Sequence, residues 1–271
     1  MKQGLKAGFL AAGLLSMATV SFAARPLIID DADPLDTGNG KIEAGFWHEK
    51  DGSCKNWDWP IGLGYGLVPS LEVNLGMGGT FQQRSEVDEN GCECIKSENG
   101  MGDLTLNTKW QFLEETTWIP RQALVPAVKF PTANKDTGLG SGEFDYDVTW
   151  IASKSFTEKI GGHVNAGYSF IGEPEGEDAG DIIHYGVAFD YRIADPLQWV
   201  GEIYAEKELM SGTDHIIMFN TGLRWIAVEG LTIDAAAGSH ISSAGPDLTA
   251  TAGLTWEFGI LKKEDKSNKQ D

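Results

Sequence analysis

The chain has 271 residues, a formal charge of −19, 34 glycines and nine tryptophans. So acidic a polypeptide repels nucleic acid, which removes DNA and RNA as partners. Beyond the leader no run reaches the roughly eighteen apolar residues of a membrane-spanning helix, so any passage through a membrane falls to strands.

Residues 1–23 read as an export signal. Lys2 and Lys6 open it, Ala7 to Val20 form a short apolar core, and Ser21-Phe22-Ala23 is a small-x-small cleavage site. Loss of Lys2 and Lys6 with the leader takes the formal charge from −19 to −21. No Cys follows the site, so no lipid anchor is expected. Residues 24–40 carry Asp30, Asp31, Asp33 and Asp36 with Pro34 and Gly38 and show no alternation. They predict a solvated acidic lead-in rather than a Ca²⁺ loop.

Period-two alternation then begins, the mark of strands with two environments. Ile42, Ala44 and Phe46 oppose Glu43 and Glu49. Trp57, Trp59, Ile61, Leu63, Tyr65 and Leu67 oppose Asp58 and the glycines 62, 64 and 66. After the turn Val68-Pro69-Ser70, the row Leu71 to Phe81 opposes Glu72, Asn74, Thr80 and Gln82. A long polar loop is predicted from Gln83 to Asn99. The strand from Leu104 opposes Asp103, Asn107 and Lys109 to Leu106, Trp110 and Phe112. The next, ending in Phe130, holds Lys129 and is interrupted by Pro126. A Gly-rich loop, Pro131 to Glu143, leads to Tyr146, Val148 and Trp150 against Asp145 and Asp147. Further strands are predicted around Val164 to Phe170, Ile183 to Arg192 and Trp199 to Glu206. Others follow around Ile217 to Trp225 and Leu231 to Ala237. The last, Leu248 to Phe258, alternates strictly and ends in aromatics.

Alternation over about ten residues, ending in Trp, Tyr or Phe, exceeds the five or six of a sandwich strand. It predicts an all-β, membrane-spanning, antiparallel up-and-down barrel of about twelve strands over residues 41–258. A charged tail, 259–271, follows. An even strand count puts both ends on the periplasmic side, with short turns there and longer loops outside. Charges on the second face would be expensive against lipid, so that face is predicted to be the lumen. The lumen candidates are Glu72, Asp103, Lys109, Lys129, Asp145, Asp147, Asp190, Arg192, Glu202, Glu206 and Arg224. Such charges set ion selectivity or pair with one another and fill the barrel.

Other chemistry is thin. Gly62-x-Gly64-x-Gly66 and Gly138-x-Gly140-x-Gly142 open no helix of a βαβ unit, so they are not phosphate loops and instead clear the lumen or relieve curvature. His163 and Ser169 share a row but stand too far apart for a hydrogen bond. His240 and Ser242 in an outer loop lack a third group, which leaves a lipid hydrolase as a minor alternative. Cys54 is expected in the first outer loop, and Cys92 and Cys94 in the next. A bridge from Cys54 to Cys92 or Cys94, free thiols, and a metal site of Cys92 and Cys94 with His48 all stay open.

An ordered set of short motifs resembles the outer-membrane barrel family labelled for the meta-pathway of phenol degradation, often called simply "transporter". The set is Asp30-Asp31-Ala32 with Gly38 and Gly40, Gly64-Tyr65-Gly66-Leu67, Gly100-Met101-Gly102-Asp103 with Lys109, Lys129-Phe130-Pro131-Thr132, Glu202, and Gly245-Pro246-Asp247. It covers about Ile29 to Phe258. Ala133 stands where the family has Gly, and the chain runs on past Phe258. The resemblance implies an outer-membrane channel or transporter for small solutes, aromatic or other small hydrophobic compounds among them. It implies no enzyme activity and no cofactor. The expected location is the outer membrane of a Gram-negative bacterium. The expected partners are its lipid and lipopolysaccharide, a small-molecule solute and, during biogenesis, the barrel-assembly machinery. The alternative is a structural or surface-interaction barrel with a plugged lumen.

Overall fold

The computed structural model describes residues 25–87, 93–137, 139–174 and 179–259. The export signal, the tail beyond residue 259, and Glu175, Glu177 and Asp178 of the acidic loop lie outside the described residues.

Thirteen strand segments follow one another. They are β1 (Asn39–Asp51), β2 (Cys54–Val68), β3 (Leu71–Val87), β4 (Glu93–Met101), β5 (Leu104–Leu113), β6 (Arg121–Phe130) and β7 (Asp145–Ser155). Then come β8 (Ile160–Phe170), β9 (Ile182–Ala194), β10 (Leu197–Glu208), β11 (His215–Val228), β12 (Leu231–His240) and β13 (Leu248–Gly259). All pairings are antiparallel, and β1 closes on β13 from Asn39↔Gly259 to Lys50↔Leu248. The lower part of β3 pairs with β5 and its upper part with β4. β4 and β5 therefore share one position, and the thirteen segments make a closed barrel of twelve. Closure removes the exposed edges that lipid would leave without hydrogen-bond partners.

The burial pattern is that of a membrane wall. Trp59, Ile61 and Tyr146 are at least half exposed on the outer surface, while Glu72 and Asp145 are 1% and 2% exposed inside. Ring pairs mark both rims: Trp110–Phe112 and Trp256–Phe258 at the short-turn end, Phe130–Phe144 and Tyr168–Phe170 at the loop end. These are the aromatic girdles of an outer-membrane barrel. Glu229-Gly230 is one of the tight turns, with Gly230 at φ 78°, a conformation glycine adopts without strain.

Two expectations need correction. Much of the predicted polar loop from Gln83 to Asn99 is strand: β3 runs on to Val87 and pairs with β4 in a hairpin beyond the wall. The sequence from Gln82 to Asn99 carries no apolar period that would announce it. The first outer connection is also a tight turn, and Cys54 opens β2 rather than lying in a loop.

Candidate functional site

The segment predicted to be a solvated lead-in is folded into the barrel. Leu27, Ile28, Ile29, Ala32 and Leu35 are buried. The first three pack with Trp47, Ala188, Val200, Tyr204 and Met218 of the inner wall. Followed backward from Gly38, the segment meets the strands in their order around the barrel. Leu35 N–H donates to Glu72 of β3 at 2.8 Å, and Asp33 pairs with Arg121 of β6. Ala32 N–H donates to Ser153 Oγ of β7 at 2.9 Å. Asn165 of β8 donates to the Asp30 carbonyl at 2.9 Å and accepts the Asp30 N–H at 2.8 Å. On β10, Glu202 accepts Ile28 N–H at 2.9 Å and Ile29 N–H at 2.7 Å. Arg25 accepts from Arg224 of β11 at its carbonyl, and its guanidinium reaches Asp234 of β12 and Thr251 of β13, each at 3.2 Å. The segment coils along the wall and returns to the seam where β13 meets β1.

Glycine clears its track. A Cβ on Gly66 would come to 2.3 Å from the Asp36 carbonyl oxygen, and one on Gly186 to 2.6 Å from Ile29. Cβ atoms on Gly45 and Gly253 would strike the Arg25 guanidinium. The glycines that weaken β2 as an ordinary strand make room for a second chain inside.

The predicted residues take distinct places. Lys109 crosses from β5 to Asp30 at 2.9 Å and Asp31 at 3.6 Å. Glu72 also pairs with Lys41 at 3.2 Å. Lys129 joins Asp145 and Asp103 near the outer end, the latter at 3.5 Å. His184 Nε2 lies 2.7 Å from Asp147, which also accepts the Ser169 and Thr149 hydroxyls. Glu206 accepts the Tyr204 hydroxyl. Arg192 and Arg224 line the short-turn end with Asp190.

Two cavities flank the segment. One of about 100 Å³ lies on the outer side, floored by Ile28, Ile29 and Asp30 and walled by Asp147, His184, Tyr204 and Glu206. The other, about 330 Å³, opens on the short-turn side among Asp31, Asp33, Arg121, Lys154, Arg192 and Arg224.

The catalytic candidates do not assemble. His240 contacts the Gly245 carbonyl at 2.7 Å and Ser242 donates to that of Ala244 at 2.7 Å, so both hold loop backbone. Ser153, His163 and Asp190 do form a relay, 2.8 Å from Ser153 Oγ to His163 Nδ1 and 2.9 Å from Nε2 to Asp190. Ser153 is 4% exposed, and its oxygen already accepts the Ala32 N–H, so the relay ties the segment down. Cys54 is a free thiol at the start of β2. Cys92 lies outside the described residues.

Sequence reasoning missed the inner segment itself, with Arg25, Ile28 and Ile29, and the wall residues Lys41, Asn165, His184 and Asp234. The available signal was Leu27-Ile28-Ile29, an apolar run beside aspartates, in a chain whose lumen rows carry Lys109 and Arg224 as counterions.

The fold recurs among solved outer-membrane barrels. The COG4313 outer membrane channel from Pseudomonas putida F1 superposes with a TM-score of 0.63 at 15% identity, over 84% of this chain and 98% of that one. The NanC porin gives 0.54 at 6% identity, over 80% and 98%. The KdgM porin gives 0.52 at 10% identity, over 80% and 99%. No curated protein sequence matches the chain. The model of one family spans residues 24–258, the inner segment and the whole wall together. The chain belongs to the family described as "Putative MetA-pathway of phenol degradation" and is an outer-membrane β-barrel.

Proposed function

We propose that the protein is an outer-membrane channel for small solutes, apolar and aromatic ones among them, which diffuse along the lumen without covalent chemistry or cofactor. One observation carries this reading. The wall is closed, its interior is polar, and the two cavities along its axis are separated by the inner segment, Ile28 to Asp33. The structurally similar proteins named above are a channel and porins, which supports transport over catalysis. Outer-membrane lipid and lipopolysaccharide surround the wall in this reading, and the barrel-assembly machinery inserts it. The family's description points toward aromatic solutes.

The test is uptake of benzyl alcohol and other small uncharged aromatics into liposomes holding the refolded protein. Uptake above protein-free liposomes supports the channel. Its absence, with a correctly folded barrel, favours the second reading, a structural barrel whose lumen stays filled. That reading draws on the many bonds that hold the inner segment.

A further inference from the structure

Most of the Lys and Arg side chains that line the lumen gather low in the barrel, while Lys207, between Glu206 and Glu208 on β10, is held by the Thr213 carbonyl and hydroxyl. Arg25, Lys41, Lys109, Arg121, Lys154 and Arg224 lie at the level of the inner segment or below it. Above it, the buried carboxylates Glu49, Asp58, Glu206 and Glu208 hold no ion pair with Lys or Arg among the described residues. Glu49 accepts only the Trp47 indole N–H, Asp58 the Thr80 and Asn56 side chains, and Glu208 the Gly180 N–H. Lys129, on the same outer half, is neutralised by Asp103 and Asp145.

The outer cavity joins that acidic half to an apolar floor. Ile28, Ile29, Ile151 and Ile182 supply the apolar surface. On the β7, β9 and β10 side the hydroxyls are already donating, Ser169 and Thr149 to Asp147 and Tyr204 to Glu206. What remains there is the second oxygen of Glu206, joined by Nδ1 of His184 in the neutral tautomer that donates its Nε2–H to Asp147. Asn107, on the β5 side, adds an amide. A buried carboxylate with one neutral partner is strongly stabilised by a cation carrying its own donors. A metal ion does not suit the place, because the floor is apolar and no group of three metal-binding side chains occurs among the described residues.

We propose that the outer cavity is a binding subsite for a small apolar molecule with an ammonium head, the body on Ile28 and Ile29 and the head on Glu206. This deepens the channel reading, on which it rests for the route of access. At about 100 Å³ the cavity is smaller than the roughly 150 Å³ apolar cavity that takes up benzene, so a ring enters as the Ile28 and Ile29 side chains give way.

The probes are benzylamine, benzyl alcohol and benzoate, which share a ring and differ in head. Binding to the full refolded barrel is read by calorimetry, and Glu206→Gln is compared after its heat-modifiable gel mobility shows a folded barrel. Benzylamine binding at least tenfold tighter than benzyl alcohol, with benzoate weakest and the preference erased in E206Q, is the expected result. Equal binding of amine and alcohol in the unsubstituted protein overturns the subsite, and this comparison stands even if E206Q fails to fold. Retention of the preference in E206Q overturns the role of Glu206. Liposome uptake separates the two readings. Passage of benzyl alcohol without any amine preference leaves a channel and removes the subsite. An amine preference without passage of any probe keeps the subsite and removes the channel.

Discussion

Glu202 gathers the two consecutive N–H groups of Ile28 and Ile29 and the Asn220 amide around one buried carboxylate. Removing it leaves two backbone donors without partners at a cost of about 1–3 kcal/mol each. Glu202→Ala therefore speeds hydrogen exchange at Ile28 and Ile29 by roughly tenfold or more while wall amides keep their protection. Unchanged exchange at those two amides would show that other contacts hold the segment. Lys109 makes a second test. Lys109→Met strands Asp30, and breaking one side of a buried pair is destabilising by about 3–5 kcal/mol. Adding Asp30→Asn recovers most of that loss in equilibrium unfolding. A double variant no better than K109M would mean that the lysine acts through Asp31 or by its bulk.

The elements divide into those the sequence announces and those it conceals. Strands such as β2 and β13 are legible because one face meets lipid and the other the interior, so every second residue changes character. Ile61→Lys, at the middle of β2 on the lipid face, should lower barrel stability by about 2–4 kcal/mol in urea unfolding, whereas the interior change Thr80→Ser on the paired strand, which keeps the hydroxyl on Asp58, should not. Equal effects would contradict the facing. β4 is illegible for the converse reason, since from Ser97 to Met101 it is largely exposed and its sequence carries no apolar period. The inner segment is illegible because its partners stand far along the chain, with Glu202 more than 170 residues from Ile28. Nothing local tells Asp30 that its counterion is Lys109. The glycines were legible as gaps, but only the folded barrel shows Gly66 and Gly186 fitted to Asp36 and Ile29. Of the lumen candidates, the facing could be read from the strand pattern. The pairing could not, because partners are set by the inner segment.

At the scale of the whole molecule, a wall, an inner segment and two cavities make one arrangement, a passage with its barrier supplied by the chain's own beginning. The surplus of carboxylates in the outer half predicts cation preference, read as the sign of the reversal potential under a salt gradient. An anion-selective reversal potential would contradict it. The measurement that tests the account most directly is planar-bilayer conductance of the full barrel beside a form lacking residues 25–36. The shortened barrel should conduct severalfold more than the full one, since loss of the segment joins the two cavities. Equal conductance from two correctly folded barrels would show that the inner segment is not the barrier and would return the lumen to an open question of wall side chains alone.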